Sequence, residues 1–154
     1  MNLIPILAAV ALAIPSYAQD GSKAEIFSGQ DVAAQLATFA QMAKASGSSG
    51  GTLGEYKSHA IKLSVRAASG GAEIHAHYDD IFVVTQGKAT LITGGTVVDA
   101  QTGGDGETKG SRIQDGTSQT ITKSDIVHIP AGTPHQLIIV PGDIFSTIVV
   151  KVRE

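Results

Sequence analysis

The chain has 154 residues, of which 42% are hydrophobic and 16% charged, with a formal charge of −3. That is the composition of a single globular domain with an ordinary core, and no basic cluster supplies the counter-charge that binding a nucleic acid requires. There is no cysteine, which excludes disulfides and thiolate metal sites, and 18 glycines against 5% aromatics favour a turn-rich β protein over a helical one.

The first residues, MNLIPILAAVALAIPSYAQD, form an apolar run that ends in the small-x-small pattern Ser16-Tyr17-Ala18. Residues 1–18 read as a secretory signal peptide, too short and too interrupted by proline for a comfortable membrane span. The expectation is cleavage after Ala18 and a secreted or periplasmic mature protein with no membrane attachment after cleavage. Residues 19–51 follow as an N-terminal segment. Ser28, with Asp31 three residues on, is a helix N-cap, and Val32, Leu36, Phe39 and Ala43 recur at helical spacing. Such a stripe predicts a helix packed on the outside of the domain. The run Ser46-Gly47-Ser48-Ser49-Gly50-Gly51 has the composition of a flexible linker.

Residues 52–154 read as the main β domain. From Tyr56 to Val65 the residues alternate, with His59, Ile61, Leu63 and Val65 on one face and Ser58, Lys62 and Ser64 on the other. His59 thus shares the apolar side, either as a hydrogen-bonded histidine near a barrel mouth or as a catalytic group. Next comes GGAEIHAHYDDIFVVTQG, residues 70–87, with Glu73, His75 and His77 at every second position. On an extended strand these three leave one face. Asp79 and Asp80 follow, and then the buried-type run Ile81-Phe82-Val83-Val84. Metal-competent side chains beside an apolar strand predict a site inside a β-barrel.

Residues 96–123 are polar and rich in glycine and threonine, with strand-like ends and a loop at Gly103-Gly104-Asp105-Gly106. They predict an extended hairpin or loop. The stretch Asp125-Ile126-Val127-His128-Ile129-Pro130-Ala131-Gly132-Thr133-Pro134-His135 then runs a strand into a Pro/Gly turn that delivers His135. A final apolar strand spans Phe145 to Val152.

The two histidine-bearing stretches resemble the two motifs of the cupin superfamily, G-x5-H-x-H-x3,4-E-x6-G and G-x5-P-x-G-x2-H-x3-N. Pro130-x-Gly132-x2-His135 fits the second, with Ser124 at the leading glycine and Ile139 at the final asparagine. In the first, Asp80 takes the glutamate position before Gly87. Two registers compete. With His75 and His77 as the H-x-H pair, the gap to Asp80 is one residue short; with Glu73 and His75 in those places, the gap fits. The resemblance implies an all-β, jelly-roll barrel with the N-terminal helix outside it. It also implies one divalent ion (Fe, Mn, Zn, Ni or Cu) held by His75, His135 and Asp80, with either His77 or Glu73 completing the set. The histidine pair is the expected completion, since imidazole is the commoner ligand for a late first-row ion.

The implied function is a metal-dependent enzyme acting on a small molecule, most simply by oxygenase-type chemistry. The alternatives are a non-catalytic small-ligand-binding protein and a metal-free isomerase or cyclase using His75, His59 and Asp80 as acid and base. The oligomeric state is open at this point: a homodimer is common in the family, and exposed barrel edges would allow one.

Overall fold

The structure, a computed structural model, describes residues 23–154. The expected signal peptide lies outside the described residues. Helix α1 (Gly29–Ser46) opens as its cap residues dictate: the Asp31 N–H donates to Ser28 Oγ at 3.1 Å, and Gly47 closes the last turn at φ 86°. Its stripe of Val32, Leu36, Phe39 and Ala43 is buried or half-buried, while the opposite face is exposed.

That stripe lies on β1 (Ser48–Glu55) and β2 (His59–Arg66). Residues 48–51, expected within a flexible linker, are therefore strand, paired antiparallel with β2 from Ser48↔Arg66 onward. The glycines there answer to packing. A Cβ on Gly51 would run into the Phe39 ring, so the bare backbone is what lets the helix approach.

The other strands are β3 (Ala72–His75), β4 (Tyr78–Gln86), β5 (Lys88–Thr93), β6 (Thr96–Val98), β7 (Gln101–Thr102), β8 (Glu107–Gly110), β9 (Arg112–Gln114), β10 (Thr117–Thr122), β11 (Ile126–Ile129), β12 (His135–Ile138) and β13 (Phe145–Arg153). Two antiparallel sheets face one another, in the orders β1-β2-β13-β4-β11 and β10-β5-β12-β3-β8-β7, with β6 and β9 forming a separate ribbon. This is the expected all-β jelly roll with one helix outside it. The region 96–123 is more ordered than its composition predicts, because β8 extends the second sheet by pairing with β3.

Phe82, Val84, Leu91, Ile129 and Phe145 belong to one core between the sheets. A cavity of about 160 Å³ adjoins it, with Phe82, Leu137 and Val149 as its apolar wall. The two faces of β2 are assigned the opposite way from a simple hydrophobic-inside rule. Leu63 and Val65 are buried on the outer face, beneath α1, and the alternate residues Ser64 and Arg66 line the cavity. The helix gives the apolar face a partner outside the barrel, which frees the inner face to be polar.

Candidate metal centre

Strand β3 supplies Glu73 and His75, two residues apart and so on one face of the second sheet. Strand β12 begins at His135, which is the direct cross-strand partner of Glu73. The turn before it is fixed from two sides. The Gly132 N–H donates to the His75 carbonyl at 2.8 Å, and Asp79 Oδ1 accepts from the Ala131 N–H at 2.7 Å while Oδ2 meets His128 Nε2 at 2.9 Å. Gly132 sits at φ 77°, a conformation that favours glycine. Ser124, at the position where the motif has its leading glycine, has φ 78°, so the backbone keeps the glycine geometry although the side chain has changed.

Glu73, His75 and His135 each offer a ligand atom, and these atoms all lie within 4.8 Å of one another. His75 and His135 are 8% and 5% exposed. Both rings are oriented through Nδ1. His135 Nδ1 donates to the Thr133 carbonyl at 3.0 Å, and His75 Nδ1 donates to the carboxylate of Glu107, its cross-strand partner on β8. A carbonyl can only accept, so the neutral ring of His135 carries its hydrogen on Nδ1 and presents an Nε2 lone pair to the centre. His75, with Nδ1 tied to a carboxylate, also turns Nε2 inward, 3.7 Å from Glu73 Oε2. Nδ1 fixed by an oxygen and Nε2 turned inward is the arrangement that holds a histidine ligand in one tautomer.

Asp80 arrives from the facing sheet, on β4, and is 4% exposed. Its Oδ1 accepts from Lys151 Nζ at 2.8 Å, and its Oδ2 lies 3.3 Å from His75 Nε2 and 3.8 Å from His135 Nε2. The residue is at the site as expected, but an ammonium already occupies one of its oxygens. Burial pushes the Asp80 carboxyl upward, yet the hydrogen bonds from His75 and Lys151 and their charges outweigh it, and the carboxyl titrates below its ordinary value. For His75, burial opposes the cation, but the Asp80 hydrogen bond and Glu107 prevail and raise its value. His135 goes the other way, because burial disfavours its charged form more than Thr133 supports it.

His77 and His59 are not brought to this centre. Strand β3 ends at His75, and Ala76 and His77 form an exposed turn, so the alternation that would align His77 with His75 is broken after His75. His59 starts β2 on the face of Leu63 and Val65, with its ring stacked on Tyr56 at 4.6 Å and its Nδ1 3.0 Å from Ser58 Oγ. Two residues that sequence reasoning missed take part instead. Glu107 lies in a polar stretch with no periodic signal, and its role comes from a cross-strand pairing 32 residues away. Lys151 had a faint signal as a lone cation in the otherwise apolar run Phe145 to Val152.

No protein-family model matches the chain, and no curated protein sequence matches it. Solved structures do match in shape. A Klebsiella pneumoniae protein with a double-stranded β-helix domain superposes at TM-score 0.56 with 14% identity, covering 85% of this chain and 91% of that one. The cupin domain of Cnp3 from Schizosaccharomyces pombe gives 0.52 with 12% identity, over 70% and 65%. The fold is that of the cupins. A third cupin-fold match is the DMSP lyase DddQ from Ruegeria pomeroyi, at 0.51 and 16% identity over 70% of this chain and 47% of that one. The present chain thus spans about half the length of the lyase and about two-thirds of the Cnp3 domain's chain. At these identities the likeness concerns the barrel, and the chemistry rests on the residues just described.

The donor set passes a simple test of fit for a cation. Glu73, Asp80 and Glu107 all approach His75, and Lys151 neutralises one of them. Without an ion, this surplus of carboxylate favours the protonated form of His75, which is the direction of its shift. A divalent ion satisfies the same charge and uses both inward Nε2 atoms.

Proposed function

We propose that this cupin barrel is a metal-dependent enzyme acting on a small molecule, with Glu73, His75 and His135 as the ligands. The observation that carries the reading is the convergence of two buried histidines, each locked through Nδ1, with a carboxylate on one sheet face. Two histidines and one carboxylate on one side leave the opposite positions open, the pattern of non-haem iron oxygenases, and oxygenase-type chemistry is the reading preferred here. Bound at this place, such an ion supplies Lewis acidity and, if it is iron, redox capacity.

The residues around it have separable tasks. Glu107 holds the His75 ring. Asp80, a buried carboxylate kept ionised by the partly buried Lys151 ammonium, can accept a hydrogen bond from a substrate at Oδ2. Phe82, Leu137 and Val149 form an apolar wall. The cavity is smaller than the ~300 Å³ at which drug-sized pockets begin, so the substrate is small. One cupin-fold match is a lyase, so a barrel of this kind is compatible with enzyme chemistry. A metal-free isomerase using His59 as base draws no support from the geometry, since His59 stands on the outer face. Residues 1–18 are proposed to direct export.

Metal analysis of protein purified without added metal tests the reading. The expected result is about one divalent ion per chain, lost in His135→Ala with the β-rich circular dichroism spectrum retained. Wild-type protein that takes up no Fe, Mn, Zn, Ni or Cu on titration would sink it.

A further inference from the structure

The inner face of β2 and β13 carries four cations, Lys62 and Arg66 on the first and Lys151 and Arg153 on the second. Two are accounted for, since Lys151 is paired with Asp80 and Arg153 with Glu55. Arg66 and Lys62 have no carboxylate within salt-bridge range among the described residues. Arg66 is half-buried and lines the same cavity as Glu73, His75 and His135. Its guanidinium lies over Gly70, where any side chain would collide with it, so the glycine makes room for that placement. A groove of about 490 Å³ continues outward from the cavity, sharing Ser64, Arg66 and Val149 with it and adding Lys62.

The charges define what the cavity accepts. Glu73, Asp80 and Glu107 outnumber Arg66 and Lys151 by one charge, so a divalent ion at the ligand set leaves the site with one positive charge in excess. A low-dielectric space with uncompensated positive charge favours an anion, and an unpaired guanidinium presents the two-pronged donor that matches a carboxylate. The apolar part of the lining, Phe82, Leu137 and Val149, suits the carbon part of an organic anion better than an inorganic one.

We propose that the substrate is a short organic carboxylate, gripped by Arg66 with Lys62 guiding it along the groove, and carrying a second oxygen that reaches the metal ligand set. The inference rests on the metal reading for that second oxygen; the Arg66 grip stands on its own.

Calorimetric titration of zinc-loaded protein with malonate, its neutral isostere malonamide and inorganic phosphate tests it. Malonate is expected to bind wild type and malonamide not to, and Arg66→Gln is expected to weaken malonate by at least about tenfold with zinc stoichiometry and Tm unchanged. Malonate binding equally well to zinc-loaded Arg66→Gln would overturn the proposal and leave the metal reading intact, and phosphate binding more tightly than malonate would overturn the carboxylate assignment. Should wild type take up no zinc, whichever of Fe, Mn, Ni or Cu it does take up replaces it; should it take up none, the metal reading fails, and the same titration of metal-free protein decides the Arg66 grip: malonate binding that depends on Arg66 upholds it, and no binding overturns it. If Arg66→Gln does not fold, Arg66→Lys replaces it, with a loss of about threefold expected because the charge stays and the fork is lost.

Discussion

Glu73 and His135 are direct partners across the β3 and β12 ladder, although 62 positions separate them in the numbering of the chain. Opposed residues on antiparallel strands have Cβ atoms about 4.5–5.5 Å apart, so the pairing alone brings the two donors within reach of one ion. His75, two residues along β3, completes the set, and the turn at Ala76-His77 sends the next histidine away from it. The geometry places Glu73, and not His77, beside His75 and His135, and Glu73 is the third ligand we propose. The expected outcome is that Glu73→Gln lowers metal affinity by more than the roughly 10- to 100-fold typical of losing a supporting residue, and that His77→Ala stays within about twofold. Metal titration of the two variants measures this; the opposite order would return His77 to the site.

Glu107 touches His75 Nδ1 and lies outside the ligand set. Glu107→Gln can still accept a hydrogen bond but removes the charge that supports the ring. We expect metal affinity to fall by about 10- to 100-fold while Tm of the metal-free protein changes little, read by competition against a chelating dye and by thermal melting.

In the metal-free protein the His75 proton is held to higher pH than on an ordinary imidazole, because burial is outweighed by the Asp80 and Glu107 carboxylates. An ion must displace that proton, so affinity is expected to rise with pH until pH exceeds the raised His75 value and then level off. Calorimetry in buffers of different ionisation enthalpy should show proton release on binding at pH near 6.5. Affinity independent of pH between 5.5 and 8 would contradict it.

Asp80 is buried and pairs with the partly buried Lys151, and Lys151→Met leaves Asp80 Oδ1 without its ammonium. Removing one partner of such a pair typically costs about 3–5 kcal/mol, and the double variant Asp80→Asn with Lys151→Met should cost less than Lys151→Met alone. The folded Asp80 value is depressed below 3.8, so the stability it contributes is complete above pH 3.8 and is lost as pH falls through the folded value. Thermal melts of metal-free protein from pH 6 to pH 2 should show this acid loss, and Lys151→Met should flatten it.

Asp79 ties the turn before His135 to strand β4 through the Ala131 N–H and His128. Asp79→Ala is expected to lower metal affinity about tenfold by loosening the turn that delivers His135, with a smaller fall in Tm than Lys151→Met causes. Asp79→Asn, which keeps an acceptor for the Ala131 N–H, should recover most of the affinity.

Much of the barrel was legible because its signals are local. Ser28 and Asp31 cap the helix within one turn, Pro130 and Gly132 shape the bend before His135, and the two-residue spacing of Glu73 and His75 needs nothing beyond a strand. Period-two alternation also divides β2 into two faces, but it does not say which face looks inward. The helix decided that, by covering Leu63 and Val65 from outside and leaving Ser64 and Arg66 to the cavity. The glycines of residues 48–51 have the composition of a flexible linker, but they lie in strand β1, where the bare Gly51 backbone admits the Phe39 ring. Glu107, Lys151 and the choice of Glu73 over His77 depend on which strands become neighbours and where β3 stops. Cross-strand partners come from distant parts of the chain, so the sequence determined the kind of ligand and the local turns, and tertiary pairing alone determined which donors meet.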